Sequence, residues 1–306
     1  MTTNNTIALL GATGFIGQEV FSLLIDKQKK LYSCSKRGGK IGGVTIDSID
    51  LTADQDLRDW LEWRDIDTVI YLSSVIPKSF LDSDWSVLEE NLIMHKNILE
   101  LWKNNAFHLI YASGCSVYGK NSPQPWNESN MTMPNNLYTI SKRFGEILFY
   151  NEYQNGLPLT ILRINAPYGV RNRRKTVVNI FLERALMGED ILLHGTGMRE
   201  QDFIYIKDIA RAFWLACSTQ NKHGIYNIAS GKSVTTLDLA KKIIDVSESD
   251  SKIVYSGSVD SQEGQKISID ISKAHESLGF SSEYTLENGL TECIRDYHRI
   301  FSGDLV

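Results

Sequence analysis

Three glycines near the start of the chain constrain its fold more than any other feature. Gly11, Gly14 and Gly17 are spaced G-x-x-G-x-x-G, after an apolar run at 7–10 and before a segment of helical periodicity at 15–27. This spacing permits a tight turn, and the start of the following helix offers free N–H groups to a phosphate. The strand–turn–helix context predicts a dinucleotide site, although a purely structural turn is the alternative. The expected contacts are Gly11, Thr13, Gly14, Phe15, Ile16 and Gly17.

The composition is that of an ordinary globular protein. The 306 residues, 42% hydrophobic and 23% charged, suffice for one large domain or two small ones. A net charge of −5 provides no basic surface for nucleic acid, and no apolar run approaches membrane-spanning length. The four cysteines have no metal-ligand spacing, so we expect reduced thiols, no metal site and a cytoplasmic protein without a signal peptide.

Strand and helix patterns alternate through the first half of the chain. The apolar strand patterns fall at 6–10, 31–35, 44–49, 68–72, 107–113 and 159–164. The helical patterns fall at 15–27, 57–63, 88–104 and 137–153. This alternation predicts an α/β protein of Rossmann type, with a doubly wound parallel sheet between two layers of helices.

The pattern loosens in the second half. Helices are predicted there at 177–187, 209–219 and 237–246, and a strand at 225–229. We therefore expect residues 1–166 to form the cofactor-binding domain. Residues 167–306 would be mainly a smaller C-terminal substrate-binding lobe, with some segments returning to the first domain.

One tyrosine and one lysine form the most specific chemical signal. Tyr138 and Lys142 lie four residues apart in a helical pattern, which places them on one face. An ammonium beside a phenol stabilises the phenolate, so we expect a lowered pKa of Tyr138 and a role in proton transfer. Combined with a hydride carrier, the pair indicates an alcohol/ketone oxidoreductase.

The residues after the second predicted strand bear on which dinucleotide is bound. A carboxylate about 20 residues beyond the glycine turn usually binds the ribose of NAD. Here the segment reads Ser35-Lys36-Arg37, without Asp or Glu. A hydroxyl followed by two cations suits a 2′-phosphate. We therefore favour NADP(H) and keep NAD(H) open; Lys36 and Arg37 as merely solvated charges are the alternative.

These residues together resemble the extended short-chain dehydrogenase/reductase family of nucleotide-sugar epimerases, dehydratases and reductases. The resemblance covers nearly the whole chain and is also carried by the segments 50–51, 69–74, 113–119, 162–169 and 195–208. In chain order these resemble the adenine contact, the fourth-strand signature, the serine-containing strand end, the LRxxNxYG segment and the GxGxxxRDFxYVxD segment. Tyr71 stands where the family usually has His.

The resemblance implies roles for individual residues. Tyr138 would be the general acid/base, Lys142 would hold the nicotinamide ribose, and Asn165 would lie near the sugar nucleotide. Further cofactor contacts would come from Asp50, Leu51, Leu72 and Ser73. The family also implies a homodimer, with the helices at 88–104 and 137–153 as candidates for the contact.

Three departures from the family pattern matter. The Ser or Thr that should bind the reacting oxygen is replaced by Gly114, so Ser113 or Ser116 would supply the hydroxyl, with Ser113 preferred. The Asp-Glu pair of the 4,6-dehydratases is absent, which argues against dehydration. Gln201 stands where an Arg is usual, and Arg199, two residues earlier, is the candidate phosphate ligand.

Two enzymatic reactions remain after these arguments. The favoured one is NADPH-dependent reduction of a nucleotide-linked 4-keto (6-deoxy)hexose, and the alternative is an NAD-dependent 4-epimerase. A sensor or scaffold that binds the cofactor without catalysis is a third hypothesis, supported by Gly114. The basic segment at 171–175 is either a diphosphate clamp or a solvated turn.

Overall fold

The computed structural model describes residues 6–62, 64–80, 84–172, 174–219 and 222–302. Trp63, at the end of one predicted helix, and Arg173, in the basic segment, lie outside these ranges. The strands are β1 Thr6–Leu10, β2 Lys30–Ser35, β3 Gly39–Ile41, β4 Val44–Ser48, β5 Thr68–Tyr71, β6 His108–Gly114, β7 Leu159–Ile164, β8 Pro167–Tyr168, β9 Ile191–Leu193, β10 Glu200–Asp202, β11 Ile204–Tyr205, β12 Gly224–Ile228, β13 Ser233–Thr235 and β14 Ile253–Tyr255. The helices are α1 Phe15–Asp26, α2 Asp54–Leu61, α3 Trp85–Asn105, α4 Leu137–Gln154, α5 Val177–Leu186, α6 Ile206–Ser218, α7 Thr236–Ser247, α8 Ser272–Leu278 and α9 Leu286–Ser302.

The main sheet has the strand order β12-β7-β6-β5-β1-β2-β4-β3. All its neighbours are parallel except β3 and β4, which pair antiparallel. The chain runs from β1 outward to one side through β2 and β4, then returns to β5 and continues to the other side. This reversal opens a crevice at the carboxyl ends of β1 and β5. The expected Rossmann-type α/β fold is confirmed.

The sheet is buried on both faces by helices. In β1, Ile7 and Leu9 contribute to one apolar cluster, while Ala8 and Leu10 contribute to the other. This alternation follows from the period of two in a strand. Helices α1 and α6 pack together on the first face, and α3 packs with α4 on the second. The two layers hold the strand ends rigidly, and those ends carry the candidate site.

The elements predicted for the first half are present, with ends shifted by a few residues. The predicted end of one helix, Trp63, lies outside the described residues and is not compared. Helix α2 begins at Asp54 rather than residue 57, with Asp54 and Asp56 in its first turn, where the helix dipole favours negative charge. The short strand pairs β8/β11, β9/β14 and β10/β13 were not predicted. Strands of two or three residues are too short to show a hydrophobic period. Strand β12, from the second half, completes the main sheet beside β7.

Candidate active site

The glycine turn joins β1 to α1 beneath one end of a large cavity. Gly11 has a φ of +97°, a region in which residues with a side chain are strained. A Cβ on Gly17 would lie 2.1 Å from the carbonyl oxygen of Gly11, so only glycine fits there. Gly14 is the N-cap of α1 and provides no side-chain cap. The N–H groups of the first helical turn therefore remain available to an anion.

The cavity has a volume of about 1380 Å³ and extends from the glycine turn across the ends of β5, β6 and β7. Most of the residues predicted for the site line it: Gly11, Thr13, Gly14, Phe15, Ile16, Gly17, Lys36, Asp50, Leu51, Leu72, Ser73, Ser113, Ser116, Tyr138, Lys142, Asn165 and Arg199. Ser35 and Arg37 do not. Ser35 is buried and its hydroxyl donates to the carbonyl oxygen of Gly38 at 3.4 Å, while Arg37 is exposed to solvent.

Lys36 lines the cavity but already has two acidic partners. Its Nζ lies 3.1 Å from Asp50 Oδ2 and 3.4 Å from Glu90 Oε2. Burial works to raise the pKa of Asp50, but hydrogen bonds from Thr52 and Lys36 outweigh it and the pKa is lowered. Asp50, a predicted cofactor contact, and Glu90, which the sequence did not point to, therefore place two carboxylates at this end of the cavity.

Helix α4 presents Tyr138 and Lys142 to the cavity. The helix begins with a capping box between Asn136 and Thr139, which fixes its first turn next to Tyr138. Lys142 Nζ donates a hydrogen bond of 2.9 Å to the carbonyl oxygen of Ala112 and lies 5.8 Å from the centre of the Tyr138 ring. The predicted one-face arrangement of the two side chains is thus present.

The expected lowering of the Tyr138 pKa is wrong for this structure. Burial raises the pKa of Tyr138, and this exceeds the lowering effects of a hydrogen bond with Ser74 and of the Arg174 charge. Burial also lowers the pKa of Lys142 to about 7, against the opposing effect of Glu146. Because the lysine loses charge near neutral pH and its Nζ is turned to a backbone carbonyl, it provides little stabilisation of the phenolate.

A buried ionic network lies directly behind the strand end that carries Ser113. Ser113 Oγ donates to Glu146 Oε1 at 2.6 Å. The same carboxylate accepts two hydrogen bonds from Arg163, at 2.9 and 2.8 Å, and one from Arg143 at 2.9 Å. Glu146 is fully buried and Arg163 nearly so. The network fixes β6, β7 and α4 relative to one another.

The two other residues predicted to bind the substrate, Asn165 and Arg199, already contact other parts of the protein. Asn165 Nδ2 donates to the backbone oxygen of Asp202 at 2.7 Å. Arg199 Nε lies 3.5 Å from Asp260 Oδ2, and both side chains are largely buried. A substrate phosphate that binds Arg199 would therefore share it with a carboxylate.

Some cavity residues were missed at the sequence level. The ring centre of Phe80 lies 5.7 Å from that of Tyr138, with the two planes tilted by 51°, and the Arg174 guanidinium lies 4.7 Å from the Phe80 ring. Both line the cavity, as does Arg171. Phe80 had no local signal, whereas Arg174 belongs to the basic segment already noted. Glu146 could have been found, because it follows Lys142 by the same four residues that separate Lys142 from Tyr138.

Within the described ranges, no three side chains among His, Cys, Asp and Glu are grouped as a metal ion would require. No helix in the same ranges combines the length and apolar character needed to cross a membrane.

Comparison with known proteins identifies the class to which this fold and site belong. The chain is a member of the NAD dependent epimerase/dehydratase family, whose model matches residues 7–229. This confirms the resemblance drawn from the motifs and makes the protein a member of a family of epimerases, dehydratases and reductases.

Particular relatives narrow the class without deciding between its reactions. A putative UDP-glucose 4-epimerase of Methanocaldococcus jannaschii is 28% identical, over 94% of this chain and 97% of its own. The dTDP-4-dehydro-6-deoxyglucose reductase of Escherichia coli is 27% identical, over 95% of this chain and 97% of its own. The solved UDP-glucose 4-epimerase of Thermotoga maritima, with UDP-glucose, superposes with a TM-score of 0.86 at 25% identity and covers 97% of this chain and 99% of its own.

Proposed function

We propose that this enzyme reduces a nucleotide-linked 4-keto (6-deoxy)hexose at C4, with NADP(H) as the favoured cofactor. One observation carries the proposal: a single cavity joins the glycine turn, Lys36 and the Tyr138/Lys142 pair. The similarity to the reductase of Escherichia coli supports the same reaction. Residues 1–166 would bind the cofactor, and residues 167–306 would supply most of the nucleotide-sugar contacts.

The glycine turn fits a dinucleotide because its backbone leaves the room that side chains would fill. When bound, the reduced nicotinamide supplies a hydride to C4. Tyr138 donates its phenolic proton to the oxygen at C4 as the C=O bond pair moves onto that oxygen, and it regains a proton from water. Lys142 would hold the nicotinamide ribose, while Asn165 and Arg199 would bind the sugar nucleotide.

The preference for NADP(H) depends on whether Lys36 can leave its present partners. Its side chain is 61% exposed, and Asp50 and Glu90 are also partly exposed. Such exposed ion pairs stabilise a protein by about 0–1 kcal/mol, so a dianionic 2′-phosphate can compete for the ammonium. The Ser35–Gly39 turn has no Asp or Glu to repel that phosphate.

The second candidate is an NAD-dependent 4-epimerase. The observation in its favour is that two carboxylates, Asp50 and Glu90, surround the single ammonium of Lys36. Their excess negative charge favours the neutral ribose hydroxyl of NAD over a phosphate. In this reaction Tyr138 would first accept the proton of the C4 hydroxyl and later return it, with no net redox change. The structural similarity to the epimerase of Thermotoga maritima supports this candidate.

Cofactor identity separates the two candidates. We would denature the purified protein, identify any released nucleotide, and titrate the stripped protein with NADPH and NADH. The protein would then be assayed with dTDP-4-keto-6-deoxyglucose and with UDP-glucose. Preference for NADPH and turnover of the keto sugar support the reductase. Stoichiometric NAD with turnover of UDP-glucose contradicts it and supports the epimerase, and binding without turnover of either favours a sensor.

We also propose a homodimer formed through α3 and α4. Apolar side chains remain exposed on these helices, at Ile93, Ile140, Phe144 and Ile147. The spacing of the last three places them on one face of α4. A cytoplasmic location remains part of this proposal and is supported by the four cysteines, which are all free thiols.

A further inference from the structure

The segment from Ser113 to Ser116 contains the hydroxyl that should bind the reacting oxygen, and its hydrogen bonds distinguish the two serines. A serine hydroxyl has one hydrogen to donate. Ser113 gives that hydrogen to Glu146, at 2.6 Å. A carboxylate held by two guanidinium groups can only accept, so Ser113 remains a donor to Glu146. It therefore has no hydrogen left for the oxygen of a ketone.

The Ser113 bond is also costly to break. Ser113 is 5% exposed, and Glu146 and Arg163 are 0% and 2% exposed. Turning the hydroxyl toward the cavity would remove one of the hydrogen bonds of a buried carboxylate. Such a loss is more expensive than the loss of an exposed hydrogen bond. The thiol of Cys115, two residues further along, is also occupied by a hydrogen bond, because it donates to the carbonyl oxygen of Arg163 at 3.2 Å.

Ser116 lines the cavity as Ser113 does, but it differs in burial and in hydrogen bonding. It is exposed, and within the described part of the chain its hydroxyl has no hydrogen-bond partner. Gly114 explains why this hydroxyl can replace the one that the family carries two residues earlier. A Cβ built on Gly114 would lie 3.4 Å from Ser116 Oγ, so the two positions serve the same region of the cavity.

Other hydroxyl groups near Tyr138 are less suitable. Ser74 donates to Asn91 Oδ1 at 3.2 Å, and Thr139 donates to the carbonyl oxygen of Asn136 at 3.0 Å. Ser73 Oγ lies by the glycine turn, 2.9 Å from the place of a Cβ on Gly11. Ser116 is thus the cavity hydroxyl beside the strand end that is free to donate.

We infer that Ser116, rather than Ser113, donates the hydrogen bond to the oxygen at C4 during hydride transfer, and that Ser113 is a positioning residue for Glu146. This inference rests on the proposed function. It corrects the sequence-based preference for Ser113. The reason is that Glu146, 33 residues away along the chain, takes the Ser113 hydrogen.

The test compares S116A, S116T, S113A and the double variant G114S/S116A with the wild type, using the full chain. The substrates are dTDP-4-keto-6-deoxyglucose with NADPH and UDP-glucose with NAD. Removal of one such donor typically costs on the order of 100-fold in kcat, which we expect for S116A. S116T keeps a hydroxyl and should retain most of the activity. Ser129 is exposed and outside the cavity, so S129A serves as a control at the wild-type rate.

The double variant provides the sharpest result. Gly114 has extended backbone angles, φ −142° and ψ 148°, which serine adopts readily, and its Cβ would meet only ordinary contacts. The kcat of G114S/S116A should therefore be at least tenfold higher than that of S116A. S113A should lose less activity than S116A but show a lower melting temperature, because Glu146 loses a buried hydrogen bond.

Three outcomes would overturn the inference: S116A within threefold of the wild type, a larger loss in S113A than in S116A, or low activity in a folded S116T. A wild type that turns over neither substrate removes the proposed function, and the inference with it. An active wild type with an equally active S116A removes the inference alone. Circular dichroism of each variant separates loss of folding from loss of catalysis.

Discussion

Lys142 is joined to Ala112 by a hydrogen bond of 2.9 Å from its ammonium to the backbone carbonyl. This bond ties the cavity-facing side of α4 to the end of β6 and holds the lysine where it is only 4% exposed. Burial lowers the pKa of Lys142 to about 7. The unfolded chain therefore binds a proton between pH 7 and the ordinary lysine pKa that the folded protein does not.

This difference predicts that Lys142 costs stability, with the full cost reached below pH 7 and most of it still present at pH 7. Stability rises with pH wherever the unfolded state binds more protons, so the cost shrinks as pH increases above 7. Since one pKa unit corresponds to about 1.4 kcal/mol, we expect K142M to be more stable than the wild type at pH 7 by on the order of 2–4 kcal/mol. The difference in unfolding free energy between K142M and the wild type should become smaller toward pH 10. Denaturant unfolding at both pH values measures it, with the exposed Lys96 in K96M as control.

Tyr138 should be needed for turnover but not for cofactor binding. Removing a general acid typically costs about 10²–10⁴-fold in rate, which we expect for kcat of Y138F. NAD(P)H affinity, measured by fluorescence, should change little. Tyr150 lies on the same helix outside the cavity, so Y150F is the matched control. Undiminished turnover in Y138F would reject the proposed proton transfer.

The glycine turn should tolerate a methyl group at one position and not at another. A Cβ on Gly17 would lie 2.1 Å from the Gly11 oxygen, whereas a Cβ on Gly14 would approach that oxygen only to 3.2 Å. We expect G17A to lower the melting temperature by several degrees and to weaken dinucleotide binding at least tenfold. G14A should have the smaller effect on both. Equal effects of the two variants would contradict the role of the Gly11–Gly17 contact.

Lys36 should distinguish NADPH from NADH if it binds a 2′-phosphate. Loss of a charged hydrogen-bond partner costs about 1.5–3 kcal/mol, so we expect K36A to weaken NADPH binding at least tenfold and NADH binding less than twofold. Lys40 is exposed and outside the cavity, which makes K40A the control. If K36A and the wild type bind NADPH with equal affinity, Lys36 is excluded as a ligand of the 2′-phosphate.

The exposed apolar face of α4 should control association if the enzyme is a homodimer. Phe144 is 44% and Ile147 is 55% exposed. A charge at such a contact would be buried without a partner, so the double variant F144E/I147E should be a monomer by light scattering. Met187, 63% exposed at the end of α5, gives the control M187E. A wild type that is already monomeric would contradict the proposal.

The sequence predicted the elements with strong local signals. Strand β7 was predicted with its observed bounds, because five of its six residues are apolar or β-branched and turn residues flank it. Tyr138 and Lys142 were placed together because helical spacing alone does this. The short strands and the seven-residue helix α8 were missed because such short segments show no clear hydrophobic period. Helix α9 was also missed, although its apolar residues recur at helical spacing.

Interactions between distant residues could not be read from the sequence. The hydrogen bond from Ser113 to Glu146 spans 33 residues of chain, so the sequence favours Ser113 as the free hydroxyl. The contacts of Lys36 with Asp50 and Glu90 are equally invisible in the sequence, where Lys36 has no acidic neighbour. The pKa of Tyr138 was expected to fall because burial, which a sequence does not show, was left out. In each case the deciding contact joins segments that meet only in the folded chain.

Strand β12 has a consequence for how the protein is made. During synthesis β7 emerges well before β12, so a nascent chain that has folded its first half has an unprotected row of backbone N–H and C=O groups along β7. Such an edge, formed here by the mostly apolar segment Leu159–Ile164, readily pairs with strands of other chains. A gene fragment that stops before Gly224 should therefore yield aggregates rather than a small dinucleotide-binding protein.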